Sequence, residues 1–435
     1  MSPTDDHGRA DWDRVVAVFW LTSLVEGLGV SQVFAFLAPE LRIVGVPEAD
    51  RAPFVGLFSA LIFVVGMPLV PLWGVWADLY SRKAVVVRSC LVEAVVFACV
   101  ALSREPWQLA ASLLLIGFQL GNTGIMLAAI RDVVPRARIG TIIAVFGASG
   151  PIGFAVGPAL GGVLVDQLGW PLPAIFWVSA GLSVATGALV WFGSTEVRPP
   201  VVRTGRVLAL AYGAVRGVLG DPAVRRIFAI YFVAFLANQM SRPYQALIVE
   251  GIVGSGAGLA SSIGFVAGTA ALAGAVIAPA GGAIGDRIGF RPVLLVALAV
   301  GGVALLAVPL IGSIPPLALA ILLFSAANGL VGAMVFSLLA TEVPDDRRSQ
   351  TLNLVYLPLY AAGILGPLLG GAVSAVAGPK APFWVGAAVF LAGAVVVAFR
   401  VRGRGTAPVA SSANGKVAVT TMSPPPAENA GRTPD

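Results

Sequence analysis

The sequence predicts an all-α polytopic membrane protein with twelve transmembrane helices in two six-helix, pseudo-symmetric halves. Three observations predict it: scarce charge, twelve long apolar runs, and landmarks that recur at a near-constant spacing. Only 11% of the 435 residues are charged while 57% are hydrophobic, and the mean hydropathy is +0.90. A soluble domain carries about a quarter charged residues, so this chain has less than half the charge that a wetted surface uses.

A span needs about 20 predominantly apolar residues. The runs fall at 15–38, 53–73, 84–103, 107–130, 140–164, 173–193, 227–248, 259–281, 292–312, 316–340, 351–375 and 383–399. The first is long, follows an acidic and polar start and lacks an Ala-x-Ala exit, so it reads as a retained helix and not a cleaved signal peptide. Of the 28 Lys and Arg residues, 22 fall on the side of both termini. Four fall on the opposite side (Arg42, Arg51, Arg104 and Lys380), and Arg88 and Arg242 lie within spans. By the positive-inside rule both termini are cytoplasmic, and the chain is expected in the cell membrane.

The second half repeats the first. Gly74-x-x-x-Asp78 returns as Gly282-x-x-x-Asp286, 208 residues on, and Pro135 with Arg138 returns as Pro344 with Arg347, 209 on. Gly157-Pro158-x-x-Gly161-Gly162 returns as Gly366-Pro367-x-x-Gly370-Gly371 after 209, and Phe176-Trp177-Val178 as Phe383-Trp384-Val385 after 207. Six spans per unit give both halves the same orientation, so they are parallel repeats about an axis along the membrane normal. The implied organisation is a cytoplasmic tail (1–14), an N-terminal half (15–193), a cytoplasmic linker (194–226), a C-terminal half (227–399) and a tail (400–435). The linker carries a short helix over Val207–Val218. The tail is rich in Pro, Ser, Ala and Gly and is expected to be disordered.

The rare residue types exclude most catalytic chemistry. None of the three lysines stands in a Gly-x-x-x-x-Gly-Lys-Ser/Thr loop, so no Walker site is present. One histidine, His7, cannot build a His-based metal site or a Ser-His-Asp triad. Cys90 and Cys99 lie about 13.5 Å apart along one helix, beyond the limit of about 7 Å for a disulfide. No enzyme activity, cofactor, metal or nucleic acid is expected. The expected partners are a small-molecule substrate, protons and membrane lipid, and the expected unit is a monomer.

Charge left inside the spans marks the candidate site. Glu26 lies about 16 Å into the first span, near the midplane. A charge at that depth costs about 2.5–3.5 kcal/mol on insertion scales. Desolvation disfavours the ionised carboxyl, which suits a group that takes a proton on one side and releases it on the other. The competing structural role is a carboxyl permanently protonated or paired with a basic group. Thr22, Glu26 and Gly29 share a helix face. Glu93 lies at similar depth in the third span, with interhelical bonding as its competing role. Arg88 lies one turn inside the edge, where snorkelling accounts for it. Arg242 lies deep in the seventh span with Asn238 and Gln245 on its face. Ser112, Gln119, Asn122 and Met126 form a stripe on the fourth span, and Asn328 stands in the tenth. Each polar group alone serves as interhelical glue; together they point to a central cavity at the repeat interface.

These features resemble the major facilitator superfamily, over the chain to about residue 400. Gly74-Val75-Trp76-Ala77-Asp78-Leu79-Tyr80-Ser81-Arg82-Lys83 is similar to the family's Gly-x-x-x-Asp-Arg-x-Gly-Arg-Arg/Lys loop, departing at Leu79 and Ser81. The copy Gly282-x-x-x-Asp286-Arg287-x-Gly289-x-Arg291 restores both. Gly153-x-x-x-Gly157-Pro158-x-x-Gly161-Gly162 matches the motif of the antiporter branch, especially its twelve-span drug:proton exporters. The resemblance implies alternating access without a cofactor. In this reading Asp78, flanked by Arg82 and Lys83, holds a charge-assisted latch between the halves that breaks when the cytoplasmic side opens. The Gly153, Gly157 and Gly161 face permits close helix approach, and Pro158 can bend the span. Such exporters usually carry an Arg four residues before the glycine at Gly121; here the position is Gly117.

The expected function is a secondary carrier exporting small amphipathic compounds in exchange for protons, with Glu26, Glu93 and Arg242 as coupling or substrate groups. Thr22, Gln119, Asn122, Asn238, Gln245 and Asn328 are the expected cavity lining. An importer or uniporter of a polar or anionic metabolite bound at Arg242 is the alternative. A non-transporting scaffold or sensor would leave the duplicated motifs unexplained.

Overall fold

In the computed structural model the described residues are 4–198, 205–342, 354 and 356–400, and every regular element among them is helical. The helices are α1 (Thr4–Ile43), α2 (Glu48–Val64), α3 (Gly66–Leu79), α4 (Arg82–Leu102), α5 (Pro106–Ile116), α6 (Asn122–Val133), α7 (Ile139–Gly162) and α8 (Pro173–Gly193). They continue as α9 (Val207–Gly220), α10 (Pro222–Ser241), α11 (Gln245–Val253), α12 (Leu259–Ile288), α13 (Phe290–Ala307), α14 (Ile314–Glu342), α15 (Tyr356–Ala377) and α16 (Ala381–Arg400). Among the described residues, ten spans are continuous and apolar enough to cross a membrane, counting α2–α3 and α7 with its π-helical extension (Val163–Gln167) as one each. The fourth and seventh of the twelve passages cross as broken helices.

Several edges differ from the apolar runs. The helix α1 starts at Thr4, so the polar start continues the first helix, and α10 starts at Pro222, inside the expected linker. Helical geometry extends past the hydrocarbon wherever no residue stops it, and hydropathy reports only the apolar part. The linker helix α9 runs to Gly220. The tail beyond Arg400, with Pro344 and Arg347, lies outside the described residues.

Three passages are interrupted for local reasons. Between α2 and α3 the chain turns at Val65, where Pro68 has no N–H to offer the Val64 carbonyl. The fourth passage breaks between Ile116 and Asn122, and Gly121 has φ +95°, which side chains other than glycine rarely adopt. In the seventh, Pro243 lies in a 3₁₀ turn, Arg242–Tyr244. The first two breaks pack on each other: a Cβ on Gly117 would come 2.5 Å from Gly66 N, and one on Gly66 would meet Leu120 Cδ1 at 2.3 Å. The break at 117–121 also takes Ser112 off the expected stripe. Its hydroxyl donates to Gln108 O within α5, and Met126 is fully buried in an apolar cluster with Ala129 and Ile130.

Inside the first half α7 packs on α1 and α8 on α4; inside the second α15 packs on α10 and α16 on α13. The two most extensive contacts between the halves are α7 with α12 and α2 with α15, with smaller ones from α1 to α11 and α12. The glycine motif builds the first pairing. A Cβ on Gly153 would lie 2.1 Å from Leu24 O, one on Gly157 2.3 Å from Leu28 O, and one on Gly161 2.5 Å from the Phe36 ring. Gly162 faces Ala260 O and Ser261 on α12. In the repeat, Gly366 and Gly370 crowd Leu236 O, Met240 and Tyr244, and Gly371 faces Pro53 O. The helix α7 runs on through Pro151 and Pro158, and α15 through Pro367. The same geometry joins the halves twice. A Cβ on Gly264 would come 2.4 Å from the Pro158 carbonyl, and one on Gly56 2.4 Å from the Pro367 carbonyl. Gly56 and Gly264 are 208 residues apart, the repeat offset itself.

Gly157→Val forces a branched side chain against the α1 backbone and is expected to cost about 1–3 kcal/mol. A Cβ added at Gly181 would meet nothing within 4 Å, so Gly181→Ala should leave stability unchanged. Thermal unfolding of the purified variants checks the pair.

Candidate functional site

A cavity of about 920 Å³ lies between the halves. It runs from Glu26 on α1 to Asp78, Arg131 and Asp132 at the face where the linker lies, and Ala211 of α9 flanks it. At the opposite face the halves are closed on each other. Glu250 on α11 receives Arg51 Nη1 of α2 at 2.8 Å and Arg42 Nη1 of α1 at 3.2 Å, and Arg42 also donates to Ser255 O. Beside this, Ser261 N in the first turn of α12 donates to Asp166 Oδ2 at 2.6 Å, a carboxylate at a helix N-terminus. Ser261 Oγ donates to Gly162 O.

Glu26 is held by amides of the broken fourth passage. Gln119 Nε2 donates to its Oε1 at 2.7 Å and Asn122 Nδ2 to its Oε2 at 3.2 Å. The break at Gly121 brings both amides to one carboxyl. Gln119 lines the cavity; Asn122 is buried behind Glu26. Thr22 does not face the cavity: it is buried, and its hydroxyl donates to Val18 O of its own helix. Glu93 is buried against α8, where Ser183 Oγ donates to its Oε2 at 3.2 Å; it is not a lining residue. Arg88 stacks on Trp73 at 3.7 Å and donates to Ser89 Oγ, so it is partly enclosed and not simply extended to the edge. Arg242 lies over Phe34 and Phe154, at 4.8 and 4.9 Å, and lines the cavity with Asn238; Gln245 and Asn328 line an adjoining lobe with it.

The charged loop makes a network within the first half rather than a latch across the halves. Arg82 donates to Asp78 Oδ1 through Nε (3.0 Å) and Nη2 (2.9 Å), and through Nη1 to Asp132 Oδ2 (2.7 Å). Glu196 accepts from Ser81 Oγ and from Arg82 N at 2.9 Å, capping the start of α4. With the halves parted at this face, Asp78 has its partners on its own side, at the cavity mouth beside Gly74. Lys83 Nζ donates to Ser194 O just past α8, and its repeat mate Arg291 donates to Val397 O and Ala398 O near the end of α16. Each half therefore uses the last basic residue of the loop to hold the C-terminal carbonyls of its sixth span. Gly289 supplies a φ of +89° between α12 and α13, and Arg287 is exposed. Gly282 and Asp286 lie in α12, and the Asp286 side chain is outside the described residues.

Hydropathy and motif spacing single out none of Glu250, Asp166, Asp132, Glu196 or the two phenylalanines. One signal was available for Glu250: only four basic residues fall on the opposite side, and two of them, Arg42 and Arg51, converge on it. The phenylalanines carried no signal, because aromatic residues in an apolar run do not report which face they line.

Two six-helix units in parallel, sealed at one face and open at the other around a cavity with midplane charge, define a membrane carrier of the alternating-access class. The profile of the Major Facilitator Superfamily matches residues 19–260 and 227–427, and the chain belongs to that family. It is 29% identical over 399 residues to the multidrug resistance protein MdtG of Citrobacter koseri, covering 91% of this chain and 96% of that one. It is 28% identical over 385 residues to the MdtG of Yersinia enterocolitica, covering 88% and 91%. The fold is similar to that of the nucleoside transporter NupG (TM-score 0.71, 16% identity, 88% of this chain and 99% of that one). It is also similar to that of the human organic anion transporter MFSD10 (TM-score 0.63, 20% identity, 91% and 100%).

Arg42 and Arg51 both belong to the first half, so neutralising Glu250 removes the one acid of the second half that holds them across the closed face, and Glu250→Gln should favour opening there. In a protein carrying Cys90→Ser, Cys99→Ser and Ser31→Cys, the thiol at position 31 reports on that opening. An impermeant thiol reagent on that side should label it several-fold faster once Glu250 is neutralised. An unchanged rate would show that the bridge does not hold the face shut.

Proposed function

We propose that this protein is a secondary active transporter that exports small amphipathic compounds in exchange for protons by alternating access. One observation carries the reading: the cavity between the halves has an intramembrane carboxyl, Glu26, at its inner end and is sealed beyond by the Arg51–Glu250–Arg42 bridge. The similarity to MdtG proteins supports the drug-efflux direction. The preponderance of basic residues on the linker side supports a cytoplasmic position for that face.

The surroundings of Glu26 suit a proton site. As a carboxylate it accepts from the Gln119 and Asn122 amides. Gln119 Oε1 and Asn122 Oδ1 are buried with no hydrogen-bond partner among the described residues. Rotation of either amide would present an acceptor to a protonated Glu26, so both protonation states have a partner in place. Cytoplasmic substrate enters the open cavity while Glu26 is ionised. Closure of the linker face and release of the Glu250 bridge then expose the site to the other side, where proton uptake by Glu26 accompanies substrate release. Gly117 has no room for the arginine that drug exporters usually carry, because any Cβ there would meet Gly66 N; proton coupling in this chain therefore rests on Glu26 without it.

Glu26→Gln keeps one of the two amide hydrogen bonds, can regain the second if the other amide rotates to accept from the new NH2, and removes the proton site. In proteoliposomes with an imposed pH gradient it should lose gradient-driven flux while substrate counterflow persists. Gradient-driven flux equal to that of the unaltered protein would remove Glu26 from the coupling role.

A further inference from the structure

The cavity has a second lobe of about 760 Å³, bounded mainly by α7, α10, α12 and α14, and it meets the first lobe at Phe34, Phe154, Asn238 and Arg242. Among the described residues, Arg242 is the only charged group that lines it. Glu26 belongs to the first lobe alone. The Arg242 guanidinium has aromatic faces on two sides but no carboxylate and no hydrogen-bond acceptor among the described residues. Two rings offset part of the cost of holding a cation there, yet they accept none of its five N–H groups in a conventional hydrogen bond. A desolvated cation left in that state is stable only with water or an anion beside it. Its presentation arises from the backbone: the 3₁₀ turn forced by Pro243 ends α10 and turns Arg242 toward the junction of the lobes.

The remaining walls specify the rest of the ligand. Asn238, Gln245 and Asn328 add amides to the walls of the same lobe, and Asn328 Oδ1 is buried with no partner among the described residues. Away from them the lobe is small and apolar, with Ala267, Ala271 and Gly274 on α12 facing Ile321 and Phe324 on α14. We propose that this lobe binds amphiphilic organic anions, with a carboxylate, sulfonate or phosphonate head on Arg242 and an apolar body along α12 and α14. The planar guanidinium matches such heads in a bidentate fork. The proposal rests on the carrier reading above and names the substrate class of that carrier. Arg242 stands at the junction of the lobes while Glu26 lines only the first, so an anion lying along α12 and α14 is kept apart from the carboxylate that would repel it.

The test uses three matched probes that share an apolar body: naphthylacetate, the neutral naphthylacetamide and the cationic naphthylethylammonium. Equilibrium binding to the purified full chain should favour the anion over the cation by about tenfold or more. Arg242→Gln should weaken the anion by about tenfold and leave the neutral amide within about twofold, and Arg242→Lys should recover part of the loss. Ala271→Phe, which fills the lobe from α12 and leaves Arg242 in place, should weaken the anion and the neutral amide alike. A role for Arg242 confined to holding the fold would move thermal stability and leave the charge preference unaltered. Equal binding of the three probes to the unaltered protein would overturn the proposal even if no Arg242 variant folds. So would full anion affinity in folded Arg242→Gln. Flux separates the two readings. Gradient-driven export of the cation without anion binding would sink the substrate class and keep the carrier; anion binding with no gradient-driven flux of any probe would sink the carrier and keep the site.

Discussion

The structure depends on how closely helix backbones approach where the halves meet. In a bilayer, lipid tails solvate apolar side chains as well as other helices do, so helix association rests on packing and interhelical polar contacts. Gly56 on the Pro367 carbonyl and Gly264 on the Pro158 carbonyl are the two closest such approaches, related by the internal repeat. Each brings two helices together with no side chain between them. The glycines of α7 and α15 do the same inside each half, against α1 and α10. The glycine seams at α7–α12 and α2–α15 are the surfaces across which the halves can rock, with the Phe63 ring on Gly363 and the Ser261 hydroxyl on Gly162 O as the side chains that mark their register.

Charge is used sparingly and in distinct ways by depth. At the two faces it forms bridges whose partners are all present: Arg51 and Arg42 with Glu250 across the halves, and Arg82 with Asp78 and Asp132 within one. Near the midplane the charges are left apart. Glu26 has amides in place of a cation, and Arg242 has aromatic rings in place of an anion. Paired charges at the faces can exchange with water as a face opens, which makes a bridge such as Arg51–Glu250 reversible. Unpaired charges at the centre keep their valence available to a proton or a ligand.

Much of the architecture was legible from residue order because the bilayer imposes a period and a length on each passage. The apolar runs, the repeat of Gly157-Pro158 at Gly366-Pro367 and the depth of Glu26 and Arg242 are all one-dimensional quantities. The breaks were less legible. Gly121 and Pro243 sit inside runs whose hydropathy is continuous, and hydropathy is blind to φ and to a missing N–H. That is why the stripe from Ser112 to Met126 does not exist as one face, and why Gln119, inside the break, and Asn122, just after it, both reach Glu26. Thr22 shows the converse error: correct spacing from Glu26, but a hydroxyl satisfied by its own helix at Val18 O.

From the sequence alone come the twelve passages, the duplication, the side on which basic residues gather and the short set of charges at costly depth. Each follows from spacing along one helix, which the chain encodes covalently. Only the tertiary structure decides that Glu250 meets an arginine 199 residues away, that the breaks at Gly66 and Gly117 stack, and that Arg242 stands between two rings without an acid. Those depend on how each helix is rotated against its neighbours. In lipid that rotation is chosen by the fit of small residues to opposing carbonyls, a relation between distant segments that no local period records.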